Sequence, residues 1–133
     1  MTPVFADAVY FIALINSKDR YRDRALNFSA GLHFRFVTTD WILIEVADAL
    51  ASSHARKDVR GFIRLLRKSP SCEIVPFSSE LFDRALNHYH SRPDKDWSLT
   101  DCASFEVMRE RGIGAALTVD KHFEQAGFTE LLK

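Results

Sequence analysis

Short apolar runs alternate with polar, capped stretches along the whole chain. Pro3 to Ala6 reads as a buried strand ended by Asp7, and Ala8 to Ile15 (AVYFIALI) as an almost wholly apolar helix broken by Asn16 and Ser17. Lys18 to Ala30 reads as a charged helix, with Tyr21, Ala25, Leu26 and Phe28 as its apolar positions and Gly31 as its stop. Phe34 to Val37 is a second strand. Thr38, Thr39 and Asp40 are then cap candidates for a helix from Trp41 to about Ser53, whose core stripe is Leu43, Val46, Ala47 and Leu50. Arg56 to Lys68 is a basic amphipathic helix with Val59, Phe62, Ile63 and Leu66 on its apolar side. Cys72 to Phe77 is a third strand, and Ser78 or Ser79 caps a helix to about His90. After the loop Arg92 to Trp97 comes a helix that Gly112 closes. Ala115 to Val119 is a small strand ended by Asp120, Lys121 to Ala126 a short helical turn, and Phe128 to Leu132 a last strand.

Strands that alternate with helices predict an α/β fold, a parallel sheet covered by helices on both faces. At 133 residues and 47% hydrophobic content, the expectation is a single domain over residues 1–133 with a sizeable core.

The helix after Trp97 changes the picture. Ser98-Leu99-Thr100-Asp101 fits a capping box with Asp in place of Glu, which would make Asp101 a helix device. The helical period also puts Ser104, Phe105 and Met108 on the face of Asp101, with Glu106, Arg109 and Glu110 pointing away. Asp101 thus lies toward the core, where a carboxylate needs a proton, a partner or a metal.

Three more acids fall at comparable places. Asp7 and Asp120 end strands, and Glu45 lies about one and a half turns into its helix, opposite the core stripe. Each alone reads as a cap or a half-exposed residue. In a parallel α/β sheet, however, strand ends and the following helix starts share one edge, where ligands bind. All four can point into one crevice. Clustered carboxylates repel one another, and an all-oxygen ligand set favours hard ions, Mg²⁺ or Mn²⁺. Such ions activate water and stabilise charge on an attacked phosphate, so the implied chemistry is phosphoester hydrolysis.

Composition narrows this further. Lys plus Arg and Asp plus Glu each number eighteen, so no global field draws in nucleic acid or an anionic membrane. Polyanion binding must be local. Arg56, Arg60, Arg64 and Lys68, four apart, form a positive stripe that is either a solvated face or a phosphate contact. Cys72 and Cys102 form neither a disulfide framework nor a zinc pattern and are expected as buried thiols. The five histidines are scattered and expected at the surface or in packing. There is no Gly-x-Ser-x-Gly elbow and no Gly-rich phosphate loop. The run Ala8 to Ile15 is too short to span a membrane, and the Met-Thr-Pro start lacks a signal-peptide pattern, so a cytoplasmic protein is expected.

Four segments carry a resemblance: FADAVYFIALIN with Asp7, TTDWILIEVADAL with Glu45, WSLTDCASF with Asp101, and ALTVDKHF with Asp120. In order and spacing they resemble the PIN domain, the small nuclease fold of VapC-type toxins in prokaryotic toxin–antitoxin pairs. The resemblance implies a three-layer α/β/α sandwich with a central parallel sheet. It implies a Mg²⁺- or Mn²⁺-dependent endoribonuclease, the toxin of a type II pair, with Asp7, Glu45, Asp101 and Asp120 as the catalytic metal site. It implies Thr118 as a supporting hydrogen-bonding residue and offers Asp96, in the loop before Asp101, as a further acid. RNA substrate, a small antitoxin and a homodimer follow as expected partners, with the Phe-rich first two helices as a candidate dimer surface. Arg56, Arg60 and Arg64 become candidate RNA contacts. One departure is Arg22, where members often carry His.

Two other readings compete. A non-catalytic PIN-like domain that binds nucleic acid or protein would keep fold and groove. A phospho-accepting receiver would want adjacent acids after the first strand, but Ala6 and Ala8 flank Asp7.

Overall fold

The computed structural model describes residues 3–30 and 34–133. The expected stop Gly31 and His33 lie outside the described residues. Among the described residues five strands, β1 (Val4–Ala6), β2 (Phe36–Thr39), β3 (Cys72–Val75), β4 (Ala115–Leu117) and β5 (Thr129–Glu130), form one sheet in the order β3-β2-β1-β4-β5. Every pairing is parallel. The helices are α1 (Ala8–Ile15), α2 (Arg22–Ala30), α3 (Asp40–Ala49), α4 (Arg56–Lys68), α5 (Ser79–Ser91), α6 (Leu99–Glu110) and α7 (Lys121–Gln125).

The chain steps outward from β1 to β3 and then returns to β4 on the other side of β1. Right-handed crossovers place the helices of these two halves on opposite faces. The packing follows: α1 touches α2, α3 and α4, while α6 touches α5 and α7. One face is therefore filled by α1–α4, the other by α5–α7, and the sheet lies between, the expected α/β/α sandwich. Phe5, Phe11, Phe105 and Phe123 are fully buried at its centre. Across the halves, α3 packs against α6, which brings the helices that carry Glu45 and Asp101 together.

The strand order reverses between β1 and β4, where Ala6 lies opposite Leu117. In parallel α/β sheets the crevice at the carboxyl edge lies at such a switch point, and here the segments that follow β1 and β4 meet at it. Thr38, buried in β2, closes the neighbouring edge by donating from Oγ1 to the Ala6 carbonyl at 2.9 Å.

Several boundaries differ from the sequence reading. The charged helix begins at Arg22 and not Lys18. The Asn16 and Asp19 side chains accept from the amides of Lys18 and Tyr21, and these local bonds hold the chain in turns. The second strand is shifted two residues, because Thr38 and Thr39 belong to it; Thr39 then caps α3 by accepting from the Ile42 amide at 3.1 Å. Helix α3 stops at Ala49, and its buried face is Ile42, Leu43 and Val46, with Leu50 capping it; Ala47 is exposed. Buried Ile42 stands three residues before Glu45, so Glu45 borders the core side of α3. Leu26 and the chain around Phe77 are exposed rather than packed. Cys72 and Cys102 are free thiols, as expected, with Cys102 buried and Cys72 half-buried. Arg22 does not reach toward the crevice: its guanidinium donates to the carbonyls of Ala13 and Leu14 at the end of α1. Among the described residues no helix is long and apolar enough to cross a membrane.

Candidate active site

Each acid of the crevice is positioned by a helix or a strand end. Asp7 follows β1 and caps α1: Oδ1 accepts from the Ala8 amide at 2.8 Å, and Oδ2 accepts from Thr118 Oγ1 at 2.7 Å. Thr118 is fully buried just beyond β4, and its Oγ1 also accepts from the Asp120 amide at 3.0 Å. One hydroxyl thus ties the end of β1 to the turn after β4. Asp120 caps α7, with Oδ1 accepting from the His122 amide at 2.9 Å.

Asp101 has both of the placements that its sequence context suggests, a cap and an inward-facing carboxylate. The capping box is complete: Ser98 Oγ accepts from the Asp101 amide at 2.9 Å, and Asp101 Oδ2 accepts from the Ser98 amide at 3.0 Å. The carboxylate nevertheless faces inward, its side chain only 15% exposed. The loop before it is held by Trp97, whose Nε1 donates to Gln125 Oε1 at 3.0 Å, so the start of α6 is fixed against α7.

Asp7, Glu45, Asp101 and Asp120 lie near enough for their charges to act on one another. Asp7 is pushed up to about 6, first by burial and then by the carboxylates of Asp101 and Asp120, although the Thr118 and Ala8 hydrogen bonds oppose this. Glu45 is pushed up to about 7, again first by loss of hydration, then by Asp7, Asp101, Asp120 and Asp48. Glu45 sits at the exposed rim of α3, where water screens part of the repulsion. The charges that bear on both groups are carboxylates, whose mutual repulsion a bound cation would relieve.

Sequence reasoning missed His122. Its Nδ1 lies 2.9 Å from Oδ2 of Asp101 and 3.5 Å from Oδ1 of Asp120. Asp101, Asp120 and His122 each offer a donor atom within 4.8 Å of the others, a group able to hold a metal ion. The candidate ligand set is therefore not all oxygen. The available signal was the spacing Asp120-Lys121-His122 at a helix start, which brings the imidazole back over its own cap.

The structure does not bring Asp96 to this group. Asp96 is exposed beside Tyr89, His90, Arg92, Lys95 and Trp97, and it is not among the acids acting on Asp7 or Glu45. Glu106, expected to point away from the core, is half-buried and pairs with His88 at 2.9 Å. Arg56, Arg60 and Arg64, joined by Arg67 rather than Lys68, line a groove between α3 and α4 of about 670 Å³. Its floor includes Ala47, Ala51, Val59 and Ile63. Asp48, on the same groove wall, follows Glu45 by one turn of α3 and is one of the acids acting on it.

Comparison with known proteins agrees with this fold. The sequence model of the family described as "PIN domain" matches residues 4–129. A curated relative, the 23S rRNA-specific endonuclease VapC20 of Mycobacterium tuberculosis, is 27% identical over 130 residues, which cover 96% of this chain and 97% of that protein. The crystal structure of Mycobacterium tuberculosis VapC20, described as a Sarcin-Ricin loop cleaving toxin, superposes with a TM-score of 0.86 at 24% identity, covering 96% of this chain and 97% of the other.

Proposed function

The chain belongs to the PIN domain family, and on that footing we propose that it is a metal-dependent endoribonuclease, the toxin of a type II toxin–antitoxin pair. The observation that carries this reading is the convergence of Asp7, Glu45, Asp101 and Asp120 at the switch point of the sheet, with Asp7 and Glu45 both pushed toward neutral pKa by burial among acidic neighbours. Likeness to an rRNA-specific endonuclease over nearly the full length supports RNA as the substrate class.

In this reading the four acids hold Mg²⁺ or Mn²⁺. The donor set fits: carboxylates predominate, and their mutual repulsion is what a divalent ion relieves. When bound, such an ion supplies an activated water and neutralises charge on the attacked phosphate. The chain's own residues do the remainder. Thr118 keeps Asp7 oriented and its proton affinity lower than burial alone would set. The capping box holds Asp101 in place. Arg56, Arg60 and Arg64 present fixed positive charge to RNA phosphates along the groove between α3 and α4. Residues 1–133 form one domain in this account. It acts in the cytoplasm as a homodimer, with a small antitoxin as its inhibitor.

The test is incubation of the purified protein with structured and unstructured RNAs in Mg²⁺, Mn²⁺ or EDTA. Internal cuts that appear only with metal support the proposal. Intact RNA in every condition, with a folded protein that binds RNA, would favour the non-catalytic binding domain instead.

A further inference from the structure

His122 stands at the acidic crevice with no part in the four-acid account. Its side chain is 21% exposed, and it hangs from a backbone that Asp120 already fixes through the cap of α7. Nδ1 is 2.9 Å from one oxygen of Asp101 and 3.5 Å from one oxygen of Asp120. An ion with ligand bonds of about 2.1 Å sets neighbouring donor atoms about 3 Å apart. Both spacings from Nδ1 are thus near those of neighbouring ligands, and the three donor atoms all lie within 4.8 Å of one another.

We propose that His122 is a direct nitrogen ligand of the metal bound by Asp101 and Asp120, and that it biases the site toward a divalent transition ion over Mg²⁺. This rests on the metal-dependent reading above and deepens it. A carboxylate only accepts, so Nδ1 carries its proton while it bonds to Asp101. Ligation through Nδ1 needs the neutral tautomer with its proton on Nε2. Mg²⁺ favours oxygen ligands and retains its waters, whereas imidazole binds first-row transition ions well. A role confined to orienting Asp101 would help both kinds of ion equally.

Mn²⁺ is the probe, because its pulsed electron paramagnetic resonance spectrum reveals a coordinated nitrogen. The wild-type protein loaded with Mn²⁺ is expected to show nitrogen modulation, and His122→Gln to lack it. Calorimetric titration of His122→Gln is expected to show Mn²⁺ affinity falling about tenfold while Mg²⁺ affinity stays within about twofold. Bound Mn²⁺ without nitrogen modulation in the wild type, or an equal loss for both ions in the variant, would overturn this inference and leave the metal-dependent reading intact. No Mn²⁺ binding at all would overturn both. The wild-type spectrum decides the matter even if the variant folds poorly.

Discussion

Thr118 donates a 2.7 Å hydrogen bond from its buried hydroxyl to Oδ2 of Asp7, joining residues 111 positions apart at the point where the strand order reverses. The same oxygen accepts from the amide of Asp120. Two acids from different strands thus share one positioning group. Thr118→Val keeps the shape and removes both bonds. It leaves a poorly hydrated amide unpaired, which costs about 1–3 kcal/mol of stability. The carboxyl group of Asp7 loses a bond that favours its charged form, and metal affinity should fall by about 10- to 100-fold. Chemical denaturation and calorimetric metal titration measure the two effects, and Thr118→Ser should restore most of both.

Asp7 and Glu45 make the metal-free protein sensitive to pH in a defined direction. Their ordinary values, 3.8 and 4.5, rise to about 6 and about 7 on folding. The folded state therefore holds protons that the unfolded chain has released. The stability linked to these groups is fully present below about pH 4 and is lost as pH rises through 6 to 7. Divalent metal should reverse that loss, and its affinity should climb over the same interval. Thermal melts of wild type and Asp7→Asn between about pH 4 and 8, with and without Mn²⁺, test this. A flatter metal-free profile is expected for the variant.

Ser98 and Asp101 share a capping box but not a function. Ser98→Ala removes the cap and should cost about 1 kcal/mol while leaving the carboxylate and metal affinity nearly unchanged. Asp101→Asn keeps an oxygen that can accept from the Ser98 amide, so its fold should hold while metal affinity collapses. Paired denaturation and metal titration separate the two roles.

Arg60 and Arg64 line the groove between α3 and α4. Charge reversal at both should weaken RNA binding. It should also make the dependence of log affinity on log salt shallower, by about one unit of slope for every phosphate these arginines neutralise. Binding and slope equal to wild type would remove α4 from the RNA surface.

Much of this architecture is legible in the chain itself. The runs Ala8 to Ile15 and Arg56 to Lys68 have sharp polar edges, and α1 and α4 occupy those bounds. The capping pattern at Ser98 marks the start of α6. Strand ends are harder to place, because Thr38 and Thr39 are polar yet fully buried, satisfied by bonds to a neighbouring strand and to a helix start. Ile42 takes the buried place expected of Ala47 because the buried face of α3 is set by what α1 and α6 offer, and periodicity alone does not carry that. The placement of the four acids is legible in part: Asp7 directly follows β1, Glu45 and Asp101 lie on α3 and α6, and Asp120 caps α7 instead of ending β4, which stops at Leu117. His122 cannot be weighed the same way: its role depends on α7 folding its imidazole back toward a residue 21 positions earlier.

The most direct test of the account is RNA cleavage by wild type and Asp101→Asn side by side, each in Mn²⁺ and in EDTA. Internal cuts by the wild type are expected in Mn²⁺ only, and none by a folded Asp101→Asn in either condition. Undiminished cleavage by Asp101→Asn would contradict the assignment of the acidic crevice as the active site.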